Sequence, residues 1–318
     1  MEQLTMYDDT MSFSLLGTEA FYYGLFIALA CIAGLIVLAM ISRQKRFPAG
    51  TVALFGALAL PLGLLCSRGL FCALDFNFHG VFSLRALLSF WGGGLSMTGA
   101  LLGAVLAARL TARIQKIPPL VLLDALVPAL LLFMAVARLG EPYTNDLLGR
   151  SRSLTVEPLQ GTFLSIGDEY GLYRLRTYLI EAVSCAVLAV ILWRYLRKSP
   201  RPGNVLLTGM LLLGCAEVYW HSMRTDAHMF FTFINLQQIL YACMFAAPLL
   251  IFALRCHSRA CLWMAIGICA LVVGGAVWLE FLIDRSSIPH LALYVPYLLL
   301  VILPAAAGLN FRKRSERP

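Results

Sequence analysis

Apolar residues run almost unbroken through nine stretches of the chain, and polar residues gather between them. The stretches cover roughly 20–42, 50–70, 84–109, 119–139, 176–196, 204–223, 236–254, 260–281 and 289–309. Each is near the ~20 residues that a helix needs to cross the hydrocarbon of a bilayer. The pattern predicts an all-α fold, a polytopic transmembrane helical bundle of about nine spans. No internal repeat and no low-complexity segment is visible, which gives an inverted-repeat transporter weak support. One stretch raises a question of its own. Residues 90–103 read FWGGGLSMTGALLG, with three glycines in a row inside an apolar run.

Composition agrees with the pattern. The 318 residues are 60% hydrophobic and 13% charged, against about 25% charged in soluble domains. The net charge of +8 does not point to nucleic acid, because the basic residues cluster in short loops between apolar runs. They are Arg43, Lys45 and Arg46; Arg109, Arg113 and Lys116; Arg194, Arg197, Lys198 and Arg201; Arg255 and Arg259; and Arg312, Lys313, Arg314 and Arg317. Every exit from an odd-numbered span is therefore basic, which predicts an exported N-terminus and a cytoplasmic C-terminus. The first 19 residues hold four acids and no Lys or Arg, so they read as an exported tail and not as a signal peptide, which starts basic. Segment 140–175 is then the longest exported loop, and long structured loops are often functional. The nine cysteines lie almost all in apolar runs without CxxC spacing, as small core residues do. The five histidines show no ligand spacing. Neither a metal nor a cofactor is expected.

Ionisable groups inside spans cost about 2.5–3.5 kcal/mol each on insertion scales, so their depth matters. Tyr23 lies near the outer end of span 1 and Arg68 at the outer end of span 2. Gly92, Gly93, Gly94, Ser96 and Thr98 fall in the outer half of span 3. Arg138 closes span 4, Glu181 sits a turn into span 5, and Glu217, His221 and Arg224 lie toward the outer end of span 6. Asp124 alone lies near the inner end. Taken singly, an arginine at a span end snorkels, a tyrosine belongs to the aromatic belt, and a glycine run packs helices. Six spans contributing polar groups at one depth predict more: a polar pocket open to the outer leaflet. Its arginines would suit a phosphate, and its glycines would let a headgroup approach the backbone. Glu280, Asp284 and Arg285 read as ordinary interfacial charges.

These motifs resemble the prolipoprotein diacylglyceryl transferase family over about residues 20–254. The family's Tyr-Gly in the first span is similar to Tyr23-Gly24, and its Gly-Ala-Arg to Cys66-Ser67-Arg68. Its W-x-G-G-x-S-F-H-G-G-x-x-G pattern is similar to WGGGLSMTGALLG, Trp91 to Gly103. Its D-x-x-x-P run and G-R-x-G-N-x-x-N-x-E-x-x-G signature resemble the stretch holding Asp124, Pro128, Arg138, Gly140, Asp146 and Gly149. Two later segments resemble LRTYLIE, keeping Leu179 and Glu181, and LGCAEVYWHSMR, keeping Gly214 and Arg224. The chain departs from the family at several points. Thr98 stands at the family His, Glu141 at an Asn, and Thr144 at a second Asn, with Asn145 beside it. Glu217 stands at the family Arg, and His221 at the Glu four residues later.

The resemblance implies a seven-span core, 20–254, with 255–318 adding two C-terminal spans and a basic cytoplasmic tail. It implies a multi-pass protein of the bacterial cytoplasmic membrane and a reaction in lipoprotein biogenesis. The diacylglyceryl group of phosphatidylglycerol passes to the lipobox cysteine thiol of an exported prolipoprotein, and glycerol phosphate leaves. Arg138 would clamp the phosphate, helped by Arg68 and Arg224. Tyr23 would bind the headgroup, together with Gly93, Gly94, Ser96, Thr98 and Asn145. Glu181 would orient the cations. Glu217 would either weaken the hold on phosphate by pairing with Arg138 or Arg224, or leave His221 to supply the lost base. A second reading is a paralogue that binds phospholipid or prolipoprotein without transfer. A small-molecule transporter is disfavoured, because the polar residues stop at the outer third.

Overall fold

The computed structural model describes residues 12–15, 18–79, 87–88, 94–143, 155, 159–167, 173–198, 200–224, 230–231, 234–286 and 290–316. Among these, nine helices are long and apolar enough to cross a membrane. They are α1 (Tyr22–Lys45), α2 (Thr51–His79), α3 (Met97–Ile114), α4 (Pro119–Arg138), α5 (Thr177–Arg197), α6 (Asn204–Ser222), α7 (Leu236–Arg255), α8 (Arg259–Arg285) and α9 (His290–Ser315). Three two-stranded antiparallel ribbons decorate the connections: β1 (Ser12–Leu15) with β2 (Thr18–Phe21), β3 (Ser165–Gly167) with β4 (Tyr173–Leu175), and β5 (Phe230–Phe231) with β6 (Ile234–Asn235).

The third span differs from its sequence expectation. A run from 84 was expected, but α3 begins at Met97. Ser96 is its N-cap, extended at φ −96° and accepting from the Gly99 amide, which satisfies one of the donors a helix start leaves open. Gly94 lies just before it at φ +71°, a left-handed conformation that ends any helix entering from upstream. Inside α3 the small residues pack. A Cβ on Gly99 would lie 2.5 Å from the Cys66 carbonyl oxygen, and one on Gly103 would strike the Leu62 carbonyl. The backbones of α2 and α3 therefore touch, as small-xxx-small pairs allow in membranes.

The helices share two buried cores. One joins α1 to α5 through residues such as Leu38, Ile41, Leu122, Leu126 and Leu192. The other joins α6 to α9 through Leu211, Tyr241, Phe245, Phe252 and Tyr297. Large apolar side chains such as Leu60, Trp263, Trp278 and Leu299 face outward, as they do where lipid is the solvent.

Polar contacts divide the two ends of the bundle. At one end Lys45 donates to the Leu196 carbonyl, Tyr195 and Asn204 donate to Glu316, and Arg255 donates to Asn204. The basic loop residues lie at this end. Asp124 also belongs here. Its two carboxylate oxygens accept from the amides of Gly203 and Leu206 at 2.7 Å each, so a residue of α4 caps the start of α6, where the helix dipole favours an anion. The other end carries the candidate site.

Candidate functional site

Two groups of polar side chains occupy the non-basic end. The first lies between α2 and α3. Arg68 is buried, donates to the Gly94 carbonyl at 3.0 Å and stands over the Phe71 ring at 5.6 Å. A Cβ on Gly94 would come within 2.5 Å of Phe71 and 2.8 Å of the Arg68 guanidinium. Glycine is required there both by conformation and by space. Ser67 donates to the Ser96 carbonyl at 2.8 Å, locking the approach to α3 against α2.

The second group is a buried ion-pair network. Arg138 ends α4, and Gly140 turns the chain back against α1, where a Cβ would meet Phe26 at 2.6 Å. That turn returns Glu141 to Arg138, which ion-pairs with it. Arg138 Nε also stands 2.8 Å from Glu181, and Arg138 Nη2 donates to Glu217 at 3.1 Å. Arg224, just beyond α6, reaches Glu181 at 3.1 Å and Glu141 at 3.1 Å. Glu181 and Glu217 are fully buried, Arg138 nearly so, and Glu141 is the most open of the five, its side chain 18% exposed. Burial alone would raise the Glu141 carboxyl, but Arg224 and Arg138 outweigh it and hold it down at about 2. Tyr23 on α1 faces the same charges of Glu141, Arg138 and Arg224.

His221 completes the network on the α7 side. Its Nε2 lies 3.5 Å from Glu217, and neither ring nitrogen makes a hydrogen bond among the described residues. The ring stacks on Tyr241, centroids 5.2 Å apart. The Tyr241 hydroxyl and Thr98 Oγ1 are buried beside each other. The start of α3 and the second turn of α7 thus meet the end of α6 at a small set of buried polar atoms.

Two guanidiniums face three carboxylates here, with the His221 imidazole beside Glu217. The change at Glu217 is accompanied by a change at His221. Where the family resemblance expects a cation followed four residues later by an acid, this chain has an acid followed by a base, one helical turn apart on the same face.

The family model for prolipoprotein diacylglyceryl transferase matches residues 10–254. The chain belongs to this family. Relatives called phosphatidylglycerol–prolipoprotein diacylglyceryl transferase occur in Clostridioides difficile (strain 630), 23% identical over 70% of this chain and 85% of the relative. Those of Pediococcus pentosaceus, 25% identical over 69% and 80%, and Listeria monocytogenes serovar 1/2a, 26% identical over 65% and 76%, are similar to it in the same way. Membership and nine apolar helices make the chain an integral protein of the bacterial inner membrane.

Of the site residues named from sequence, Arg138, Glu181, Glu217, His221 and Arg224 come together, and Tyr23 faces them. Glu217 pairs with Arg138, one of its two expected partners. Thr98 reaches the edge of this group at Tyr241. Arg68, Gly94 and Ser96 form the separate α2–α3 contact. Gly93 and Asn145 lie outside the described residues. Two members were not named as site residues from the sequence. Glu141 had a signal, since it lies three residues after Arg138. Tyr241 had only its depth, five residues into an apolar helix.

Proposed function

We propose that this chain transfers the diacylglyceryl group of phosphatidylglycerol to the lipobox cysteine of exported prolipoproteins. The observation that carries the reading is the completeness of the buried network. Buried charges survive only when paired, and an unpaired one costs several kcal/mol. A site drifting out of use would lose such groups, whereas here each carboxylate of the network keeps an arginine beside it.

The proposed chemistry follows from position. Arg138 and Arg224 hold the phosphate of the lipid. Glu141 is the most open carboxylate and sits in a single turn of 3-10 helix, Glu141–Tyr143, outside the spans. The phosphate therefore enters by displacing Glu141, which exchanges one anion for another at the two guanidiniums. Glu181 keeps both arginines aimed while this happens, and Tyr23 binds the headgroup from α1. Gly93, Gly94, Ser96, Thr98 and Asn145 are proposed to line the approach, with Arg68 held against Gly94.

His221 takes the thiol proton of the incoming cysteine, because the thiolate is the nucleophile. The sulfur attacks the glyceryl carbon, the carbon–oxygen bond to phosphate breaks, and its electron pair leaves on glycerol phosphate. Glu217 stabilises the imidazolium as the arginines take up the growing charge of the leaving group. We further propose that residues 1–19 and loop 140–175 are exported and that the C-terminus is cytoplasmic, supported by the basic loops at the opposite end. In the proposed division 20–254 is the catalytic core, and 255–318 adds two spans and a tail.

Purified protein with phosphatidylglycerol and a lipobox peptide tests the reading. The expected result is a peptide that gains one diacylglyceryl mass. Co-purified phospholipid without transfer, under conditions where an active relative converts the peptide, would favour the binding paralogue instead.

A further inference from the structure

The last two helices lie beyond the family match, which ends at residue 254, yet they meet the site-bearing helices through buried hydrogen bonds. Glu280 of α8 was expected at the interface as an ordinary charge. It is instead buried, and its Oε1 accepts from Gln238 Nε2 of α7 at 2.8 Å and from the Tyr297 hydroxyl of α9 at 3.1 Å. Tyr294 of α9 donates its hydroxyl to the Ser222 carbonyl at 2.7 Å, and Tyr219 of α6 donates back to the Tyr294 carbonyl at 3.3 Å.

Each contact lies one short step from the ion-pair network. Ser222 is the last residue of α6, and its carbonyl is among those a helix end leaves without an internal partner. Tyr294 supplies that partner. The chain on either side of the capped carbonyl holds His221 and, two residues on, Arg224. Gln238 occupies the first turn of α7, one turn before Tyr241, whose ring stacks on His221. The backbones of α6 and α7 leave no play here, since a Cβ on Gly214 would lie 2.9 Å from the Tyr241 carbonyl oxygen. A buried carboxylate in a membrane helix is costly, and this one is spent on fixing the start of α7.

We propose that α8 and α9 act as a positioning element for the active site, with Tyr294 and Glu280 as the positioning residues. Tyr294 sets the end of α6 and hence the reach of Arg224 to Glu141 and Glu181. Glu280, through Gln238, sets the register of α7 and hence the face that Tyr241 offers to His221. The inference rests on the transferase reading for its catalytic consequence and on geometry alone for its structural one.

The test compares full-length parent, Tyr294→Phe, Glu280→Leu and Glu280→Gln. Glutamine keeps the one oxygen that both donors use, so Glu280→Gln should behave as the parent. Tyr294→Phe and Glu280→Leu should lower kcat by about ten- to a hundredfold, the scale of a small misplacement of catalytic groups. KM for lipid should stay within about twofold, and the detergent-solubilised melting temperature should hold. Val295→Ala, on the outward face of α9, should change nothing. Parent-like kcat in both disruptive variants overturns the proposal, as does a loss explained by unfolded protein alone. If Glu280→Leu does not accumulate folded, Tyr297→Phe removes one of the same two bonds. If the parent transfers no lipid, the transferase reading fails, and hydrogen exchange decides the rest. Faster exchange confined to 214–224 and 236–245 in Tyr294→Phe and Glu280→Leu, absent in Glu280→Gln, supports the proposal. Unchanged exchange there overturns it.

Discussion

Removing the cation beside a buried carboxylate is costly, and Glu217 has two basic groups within reach: Arg138 at 3.1 Å and the His221 ring at 3.5 Å. The pair Glu217 and His221 therefore behaves as one unit, which a charge exchange tests. Glu217→Arg alone sets a new cation against Arg138, and His221→Glu alone adds a fourth carboxylate. Each should destabilise by about 3 kcal/mol or more, as broken buried pairs do. The double variant should recover about 1–3 kcal/mol of coupling in a double-mutant cycle read by denaturant titration in detergent. Strict additivity would show that the two changes are unrelated. Glu141 supplies a second test. Arg224 and Arg138 outweigh burial and hold its carboxyl down at about 2, so under the proposed reading it competes at working pH with the incoming phosphate. Glu141→Asn removes that competitor and should lower KM for phosphatidylglycerol several-fold, measured as initial rates across lipid concentration. A raised KM would instead make Glu141 a ligand. At this scale the sequence was readable where cost enforces position. Arg138, Glu181, Glu217 and Arg224 stood out because ions in hydrocarbon need a reason. Tyr241 did not, because an aromatic ring at that depth is ordinary until its stacking partner is known.

Among the elements, α3 separates two roles that the glycine-rich run merges in the sequence. Gly94 serves Arg68 and a left-handed turn, whereas Gly99 and Gly103 let α2 and α3 touch. Neither role needs the others. Gly99→Val should push α2 from α3 and cost about 1–3 kcal/mol of overpacking, seen as a lower melting temperature. Gly24→Ala, where a Cβ meets nothing within 4 Å, should leave melting unchanged. An equal effect at both positions would mean that α2 and α3 do not pack through this face. The ends of most spans were legible to within a few residues, since loops are marked by charge and the hydrocarbon fixes the length. The start of α3 was misplaced by thirteen residues because hydropathy cannot see a backbone turn. The residues that make it, Gly94 and Ser96, are as compatible with a membrane helix as with its cap. Glu280 was misread for a related reason. Distance from a span end cannot show that Gln238 and Tyr297 close around a carboxylate.

For the molecule as a whole, the decisive asymmetry is between its two ends. Arg43, Lys45 and Arg46, Arg109, Arg113 and Lys116, and Arg194, Arg197, Lys198 and Arg201 cluster with Glu316 and the cap of α6 by Asp124. Arg138, Glu181, Glu217 and Arg224 occupy the opposite end, where they are nearly all neutralised among themselves. A buried, self-paired arginine contributes little to the orientation signal. Exposed arginines and lysines in short loops contribute most of it. The net excess therefore supports the proposal that the loop end is cytoplasmic and the network faces outward, where an exported cysteine and the outer leaflet would both reach it. Reporter fusions read this directly. A reporter active only after export, joined within 159–163, should be active, and the same reporter in loop 198–203 should be silent. A fluorescent protein that matures only in the cytoplasm, fused at Pro318, should glow. The reverse pattern would place Arg138 and Glu217 on the cytoplasmic side, away from any exported thiol, and would remove the proposed acceptor substrate while leaving the lipid site itself intact.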